Sequence, residues 1–527
     1  MSRLRRQVER DALIAGWRAA LLCATAIVTG CNATSPPERA AADGGVADTL
    51  RVGVTILPPS WGNPFMGNGT PGTIVWYALF DALTRIGADG QLEPALARRW
   101  AALDASRWEF ELRDDVRFSN GRPLDAAAVV ATLEWLRSPD GMRTVVGNEM
   151  RGVARVAAVD GRTVRIETTT PDAILPKRLA SVMIVEPEAW RALGPEGFAR
   201  APVGTGPYVL ATWGDRDKRS VLRANPDSWR APRVGTLVFQ ALPDYAVRLQ
   251  ALLSGEIDLT DTAVDDLPLL EHRGLVNASA PAMQVMSIGL ITEDGRTTPL
   301  DDERVRQALN LAVDRRLIAE SLLRGLAAPA SQPASRLTPG FNANLPPIPH
   351  DPEAARALLA QAGYAAGFAM TVDIAAGITV TDTSVYQAVA QYLGDVGVDV
   401  TLRSRTFSTF IRNYLTGNWQ SDAIGLSWNA APYNDVARPM EYYSCRKRNP
   451  LFCEPRLAQR LEAANAEFDP ARREAMLEAL ARDYREAAPA IFILETVDVY
   501  AMHPRVHGFE LANRVPVYEA IHFEPTG

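Results

Sequence analysis

Gly67-Asn-Gly-Thr-Pro-Gly72 has the spacing GxGxxG, in which closely approaching backbone amides could cradle a pyrophosphate. Pro71 removes one of those donors, and no strand directly precedes the run, so a loop ahead of a helix fits better. His503 and His507 have metal-like spacing, but Pro504 and Gly508 deny them the helix that would aim both rings one way. No nickel or haem role is expected of them. Glu109 and Glu111 alternate on one strand face and read as solvated carboxylates, not as a glycosidase acid pair. No GxSxG, HExxH or P-loop lysine is present, and there are only five His. The residue types therefore point away from an enzyme and from any cofactor.

The surrounding elements are of mixed type. Leu50–Leu57, Trp108–Arg113, Arg162–Thr168 and Val234–Leu242 alternate or are β-branched, as strands are. Thr73–Leu83, Asp125–Leu136 and Tyr245–Ser254 have helical spacing. One helix is capped by Asp301 and carries the apolar stripe Val305, Ala308, Leu309 and Ala312. Another opens on Asp469-Pro470, with Leu477, Leu480, Ala481 and Tyr484 on one face. The Pro-rich stretch Pro329–Pro352 reads as a long surface connection. This is an α/β chain with more than one lobe.

Its 527 residues, 47% hydrophobic and 22% charged, suit about three domain-sized units with a large core. The net charge of -7 gives no general attraction for phosphate backbones, so no nucleic acid partner is expected. Arg3, Arg5, Arg6, Arg10 and Arg18 precede a short apolar run, Ala19–Thr29, the layout of an export signal. The run is shorter than the roughly 20 residues that span a bilayer. It ends in Val28-Thr29-Gly30-Cys31, which resembles a bacterial lipobox, a signal that implies cleavage before Cys31 and lipidation of its sulfur. A flexible tether follows, rich in Ala, Pro, Gly and Ser. In an oxidising compartment Cys445 and Cys453 are expected to form a loop disulfide, the alternative being two unrelated thiols. No His pair lies near them to complete a zinc site.

An ordered set of segments resembles the solute-binding proteins of peptide and nickel ABC importers, the oligopeptide- and dipeptide-binding family. Leu79-Phe-Asp-Ala-Leu-Thr-Arg85, Asp89-Gly90, Pro94-Ala-Leu-Ala97 and Trp100 resemble its opening. Phe110–Phe118 with Asn120-Gly121-Arg-Pro123 is similar to the strand and turn that follow. Gly204-Thr-Gly-Pro-Tyr208, Asn225-Pro226 with Trp229, and Leu252–Asp258 match its middle. Asp302–Leu309 with Asp314-Arg315 resembles its most recognisable helix. No single piece is strong; their order, from about residue 50 to the C-terminus, is specific.

The resemblance implies a class II periplasmic-binding-protein-like α/β fold: two lobes, a hinge and an inserted third domain. Its boundaries would be a signal peptide at 1–30, a tether at 31–48, a first lobe at 49–87, 204–285 and 492–527, an inserted domain at 88–203, and a second lobe at 286–491. The function implied is capture of a peptide or peptide-like small solute, passed to an ABC importer permease by a monomer. That monomer would be held at the periplasmic or cell-surface face of a membrane by its N-terminal lipid alone. The alternatives are an exported hydrolase, and a solute-sensing lipoprotein not coupled to transport.

The residues implied for the ligand are Ser427, Trp428 and Asn429 on the strand where the family lays its ligand, with Tyr433 beyond it. Phe407 falls where oligopeptide binders place an aromatic, and Trp61 and Asn63 sit on the first loop facing the cleft. Peptide-binding members carry an Asp just after the ligand strand to pair with an α-ammonium. Here Ala431-Pro432 holds that place and Asp435 follows as the available acid. A buried ammonium without an acid is costly, so modified peptides, opine-like compounds and sugars stay open as ligands.

Overall fold

The computed structural model describes residues 48–524 except 215–217, 294 and 376–381. The expected signal peptide, nearly all of the tether, and Cys31 lie outside the described residues. Asp48, assigned to the end of the tether, accepts a hydrogen bond from the Gly235 amide at 2.8 Å.

Two strands organise the molecule. Val276–Leu290 and Ala490–Met502 pair antiparallel along most of their length. On one side of this pair lie Leu259–Asp261, Thr49–Val54, Thr236–Ala241, Arg219–Ala224 and Tyr208–Trp213. On the other lie Ala423–Gly425, Phe368–Ala375 and Val398–Arg405. The long strands thus belong to both halves of one 12-stranded sheet. Their register shifts between Pro281 and Val285, where proline has no amide to donate and Met283 takes φ 51°.

A separate four-stranded sheet runs in the order Ala97–Asp104, Arg107–Leu112, Thr163–Thr168, Val153–Ala158. Glu109 pairs with Arg165, and Glu111 with Arg98 and Arg99, so these two carboxylates are spent on surface ion pairs. The helix Ala126–Arg137 covers this sheet and starts where the Asp125 carboxylate accepts from the Ala128 amide at 2.8 Å.

Each half of the large sheet has its own core. Leu50, Phe80, Leu237 and Phe239 belong to one, continuous with Phe110 and Ile166 of the small sheet. Ile288, Leu309, Val372 and Val389 belong to a second, and Trp428, Tyr443, Leu477 and Phe492 to a third. The helix Pro470–Ala487 is capped by Asp469 as expected. The helix Glu303–Leu311 is capped by Asp302 instead of Asp301. Asp301 closes a capping box with Thr298 one turn earlier. The helix expected to reach Leu83 stops at Leu79, and the chain turns into the strand Thr84–Ile86.

The Pro-rich stretch is not merely a surface connection. Gln332, Ser335, Thr338 and Asn342 are all buried. Gln332 and Asn342 exchange hydrogen bonds at 3.0 and 2.8 Å, which satisfies their amides without secondary structure. Among the described residues no helix is long and apolar enough to cross a membrane.

Arg315 ties a helix to a central strand. Its buried guanidinium donates to the carbonyls of Phe492, Asn310 and Val313 and to Asn310 Oδ1. Each buried acceptor left unpaired costs about 1–3 kcal/mol. Arg315→Met should therefore lower unfolding free energy by about 3 kcal/mol or more, read from the urea midpoint at unchanged slope. A loss under about 1 kcal/mol would show that the carbonyls find other partners.

Candidate functional site

Beside the register shift, a pocket of about 120 Å³ opens between the two halves of the sheet. Four segments wall it. Pro64 to Thr73 and Tyr77 form one wall, Ser181 and Met183 another, Asn513 to Val515 a third, and Asn429, Ala431 and Pro432 close it from the other half.

The first wall is built by the helix Gly72–Leu79. Trp76 Nε1 donates to the Trp61 carbonyl at 2.6 Å, pinning the preceding loop. A Cβ at Gly72 would lie 2.4 Å from the Trp76 ring, so the loop's close wrap requires glycine there. The end of the helix is fixed by Asp81. Its carboxylate accepts from Thr205 at 2.7 Å and Trp229 at 3.0 Å and pairs with Arg230 at 2.8 Å. Gly204 and Gly206 permit that approach, because side chains there would strike the carbonyls of Leu79 and Ala78. Burial pushes the Tyr77 hydroxyl up to about 12, so a neutral phenol faces the pocket.

Of the residues expected to touch ligand, only Asn429 lines this pocket. Its Oδ1 accepts from the Ala431 amide at 2.9 Å, and its carbonyl accepts from Arg438 at 2.5 Å. The others are placed differently. Trp428 is 1% exposed, stacked on Tyr443 at 4.1 Å and edged by Tyr484 and Phe492, which makes it core. Tyr433 is likewise buried. Ser427 is half-buried beside the same strand but outside the pocket wall. Asn63 spends its side chain accepting from the Phe65 amide at 3.1 Å, as the cap of a short 3-10 turn. Trp61 lies beneath the Arg200 guanidinium at 4.0 Å and anchors the loop through its carbonyl. Phe407 opens the helix Phe407–Thr416, and its side chain lies outside the described residues. Cys445 and Cys453 are joined by a disulfide.

Asp435 is not free to take an ammonium. It is fully buried and receives both Arg473 guanidinium nitrogens at 2.8 Å and Lys177 Nζ at 2.9 Å. Its other neighbour is the Ala437 amide at 3.1 Å. Burial works to raise its pKa, but Lys177 and Arg473 outweigh that and hold the carboxyl well below its ordinary value. Lys177 belongs to the wall carrying Ser181 and Met183, whereas Asp435 and Arg473 belong to the opposite half, so this triad bridges the cleft. Asn434 adds a bridge, donating to the Gly90 carbonyl at 2.9 Å. Ile174 packs into the opposite core.

Sequence reasoning missed Asn68, Tyr77, Asn513 and Arg514. The only local sign was the Gly67–Gly72 run, whose loop reading matches the wall it forms. Asn513 and Arg514 both take positive φ, 50° and 69°, on a tight hairpin. Arg514 pairs with Asp498 at 2.7 Å and donates to Gln284 at 3.1 Å, joining the pocket wall to both long strands. His503 contacts the Leu252 carbonyl, and His507 lies beside His522, so the two are not brought together. Among the described residues no group of His, Cys, Asp and Glu could hold a metal ion.

Residues 91–450 match the model for bacterial extracellular solute-binding proteins, family 5 Middle. The chain belongs to this family. It is 28% identical over 348 residues to the glutathione-binding protein GsiB of Salmonella paratyphi A, covering 64% of this chain. It spans 65% of that relative's own length. Among solved structures, DppA from Helicobacter pylori in complex with peptide STSA superposes with a TM-score of 0.78 at 20% identity, covering 90% of this chain and 98% of that one. AgaA of A. tumefaciens R10, in complex with agropinic acid, gives 0.78 at 24%, covering 91% and 99%. The family-5 chain thus has the class II periplasmic-binding-protein fold, two lobes with an extra domain.

Lys177→Met should leave the Asp435–Arg473 pair intact yet loosen the lobes, raising the radius of gyration of the ligand-free protein in X-ray scattering. Asp435→Asn strands Arg473 and should cost about 3–5 kcal/mol of stability. Because the folded carboxyl titrates below its ordinary 3.8, this stabilisation is complete above that pH and fades as pH falls further. The melting-temperature gap between wild type and Asp435→Asn should therefore be flat from pH 8 to about 5 and shrink in stronger acid. A gap that closes already near neutrality would refute the assignment.

Proposed function

We propose that this chain captures a small solute, a peptide or peptide-like compound, in the cleft between its lobes and delivers it to an ABC importer without altering it. The observation that carries this reading is the pocket walled from both halves of the sheet and bridged by Lys177, Asp435 and Arg473. Membership of a family of binding proteins supports it, and GsiB and DppA are described as binding glutathione and a peptide. The same membership does not favour the hydrolase alternative.

The register shift at Pro281–Val285 supports a hinge there, where both long strands could bend without breaking their terminal ladders. On this partition residues 49–87, 204–285 and 492–527 form the first lobe, 88–203 the inserted domain and 286–491 the second lobe. The cationic leader and Val28-Thr29-Gly30-Cys31 support export, cleavage and lipidation, which would hold a monomer at a membrane surface. Since Asp435 is occupied, an α-ammonium held by that residue is not part of the proposal.

A ligand binding only the closed form shifts the lobe equilibrium by its differential affinity. At 100-fold its Kd it also stabilises the fold by about 2.7 kcal/mol. A library of short peptides, opines and sugars should contain members that raise Tm by a few degrees and contract the scattering envelope, with the solute recovered unchanged. A library in which nothing moves Tm, or a bound solute recovered as product, would defeat the reading.

A further inference from the structure

A second cavity, of about 310 Å³, lies away from the cleft between the helices Ala126–Arg137 and Pro187–Arg200. Ala131, Thr132 and Trp135 line it from the first helix, and Trp190 and Arg191 from the second. Residues three and four apart share a helix face, so each helix presents one stripe to the space. Phe65 lines it as well, while its neighbour Pro64 lines the interlobe pocket. The short turn Pro64–Met66 therefore stands between the two cavities. The second helix breaks at Gly194, which takes φ 66°, and Pro195 follows. A Cβ on Gly194 would meet nothing within 4 Å, so the break leaves open space beside the residues that line the cavity.

Three aromatic rings give this space its chemistry. Trp135 and Trp190 meet at 4.6 Å with their planes 74° apart. Phe65 stacks on Trp135 at 5.3 Å and meets Trp190 edge-on at 4.9 Å. Rings crossed in this way form a corner, in which a further flat ring can lay its face on one wall and its edge on the other. Neither indole N–H finds an acceptor among the described residues, although Trp190 is buried. The Thr132 hydroxyl is already bonded to the Ala128 and Val185 carbonyls, both 3.2 Å away.

The charge on the lining is of one sign. Arg191 is exposed and makes no ion pair with any described residue. Glu188, one turn before it, is paired with Arg122. Glu186 caps the helix by accepting from the Glu188 and Ala189 amides. No acidic residue lines the cavity. An aromatic chamber with one free guanidinium matches a ligand that has a flat apolar body and a single negative end. Size narrows the class. A dry apolar cavity of about 150 Å³ holds one benzene ring, so this one has room for two fused rings.

We propose that this cavity is a second ligand site, separate from the interlobe cleft, and that it takes a bicyclic aromatic monocarboxylate, with the rings against Trp135 and Trp190 and the carboxylate on Arg191. A sugar or an ammonium group has no matching partner there. The site does not depend on what the cleft binds, so it stands or falls by itself.

The test titrates 2-naphthoate into the full chain, read by calorimetry and by saturation transfer to the ligand protons. Binding with a Kd of about 1 mM or tighter is expected for a ligand of this size. 2-Naphthamide keeps the rings without the charge and should bind about fivefold more weakly or worse. Arg191→Gln should weaken 2-naphthoate by about the same factor and leave 2-naphthamide unchanged. Because Arg191 has no partner to lose, its Tm should stay within about a degree of wild type. Ala131→Phe puts a ring into the chamber and should abolish binding; if that variant fails to fold, Arg191→Gln decides alone. No binding of 2-naphthoate, equal binding of 2-naphthamide, or unchanged binding by Arg191→Gln would each overturn the assignment. Decanoate binding more tightly than 2-naphthoate would give the cavity to an acyl chain instead. A concentration-dependent dimer that Ala131→Phe dissolves would give it to a second copy of this chain.

Discussion

The structure depends on one ladder, the antiparallel pairing of Val276–Leu290 with Ala490–Met502. Because these strands belong to both halves of the sheet, each half can complete its own core while remaining covalently and hydrogen-bonded to the other. The ladder is regular from Val276 to Pro281 and resumes at Val285, with a second, smaller register shift between Met286 and Ser287. Between Pro281 and Val285 the pairing lapses, and the pocket lies beside the lapse. Asn429 pairs with Gln284 there, and Arg514 joins Gln284 to Asp498 from the other side. A continuous ladder would have left no place at which two cores could move apart or a cleft could open.

Charge is distributed around that cleft in two ways. Asp435 is buried with two cations bound to it, and removing one partner of such a group costs several kcal/mol. It therefore works as a structural bridge. Asp435 owes that bridge to the helix Pro470–Ala487, which delivers Arg473 to it. Arg438 sits a few residues away with an Nε atom that has no partner among the described residues.

Local structure was legible where one segment determines it. The alternating strands near Thr49, Arg107, Thr163 and Thr236 appear within a few residues of their expected places, and Asp125 and Asp469 cap their helices through their own side chains. The candidate site was less legible, because its content depends on partners far along the chain. Lys177 reaches Asp435 across 258 positions, and Asn434 reaches Gly90 across 344. No periodicity records such a pairing. Trp428 misled for a related reason: an aromatic on a strand has two faces to choose from, and the ring of Tyr443 on a later segment settles the choice. The Pro-rich stretch misled because side-chain amides, which leave no repeating pattern, knit it into the interior.

On the proposed reading, the unpaired polar atoms explain why closure answers to a ligand. The closed lobes gain the Lys177 bridge, the Asn434 contact and the packing of Ile174. They also hold Arg438 Nε, Asn434 Oδ1 and Asn513 Oδ1 away from water with no partner among the described residues. Each such group costs about 1–3 kcal/mol, comparable in size to a single good bridge. Gains at the edges of the cleft are thus offset in part by polar groups left without partners. A solute that supplies acceptors and donors to those atoms removes the losses without touching the gains. Its differential affinity for the closed form then comes from groups the protein has left unsatisfied, which is the condition for a ligand to set the position of the lobes.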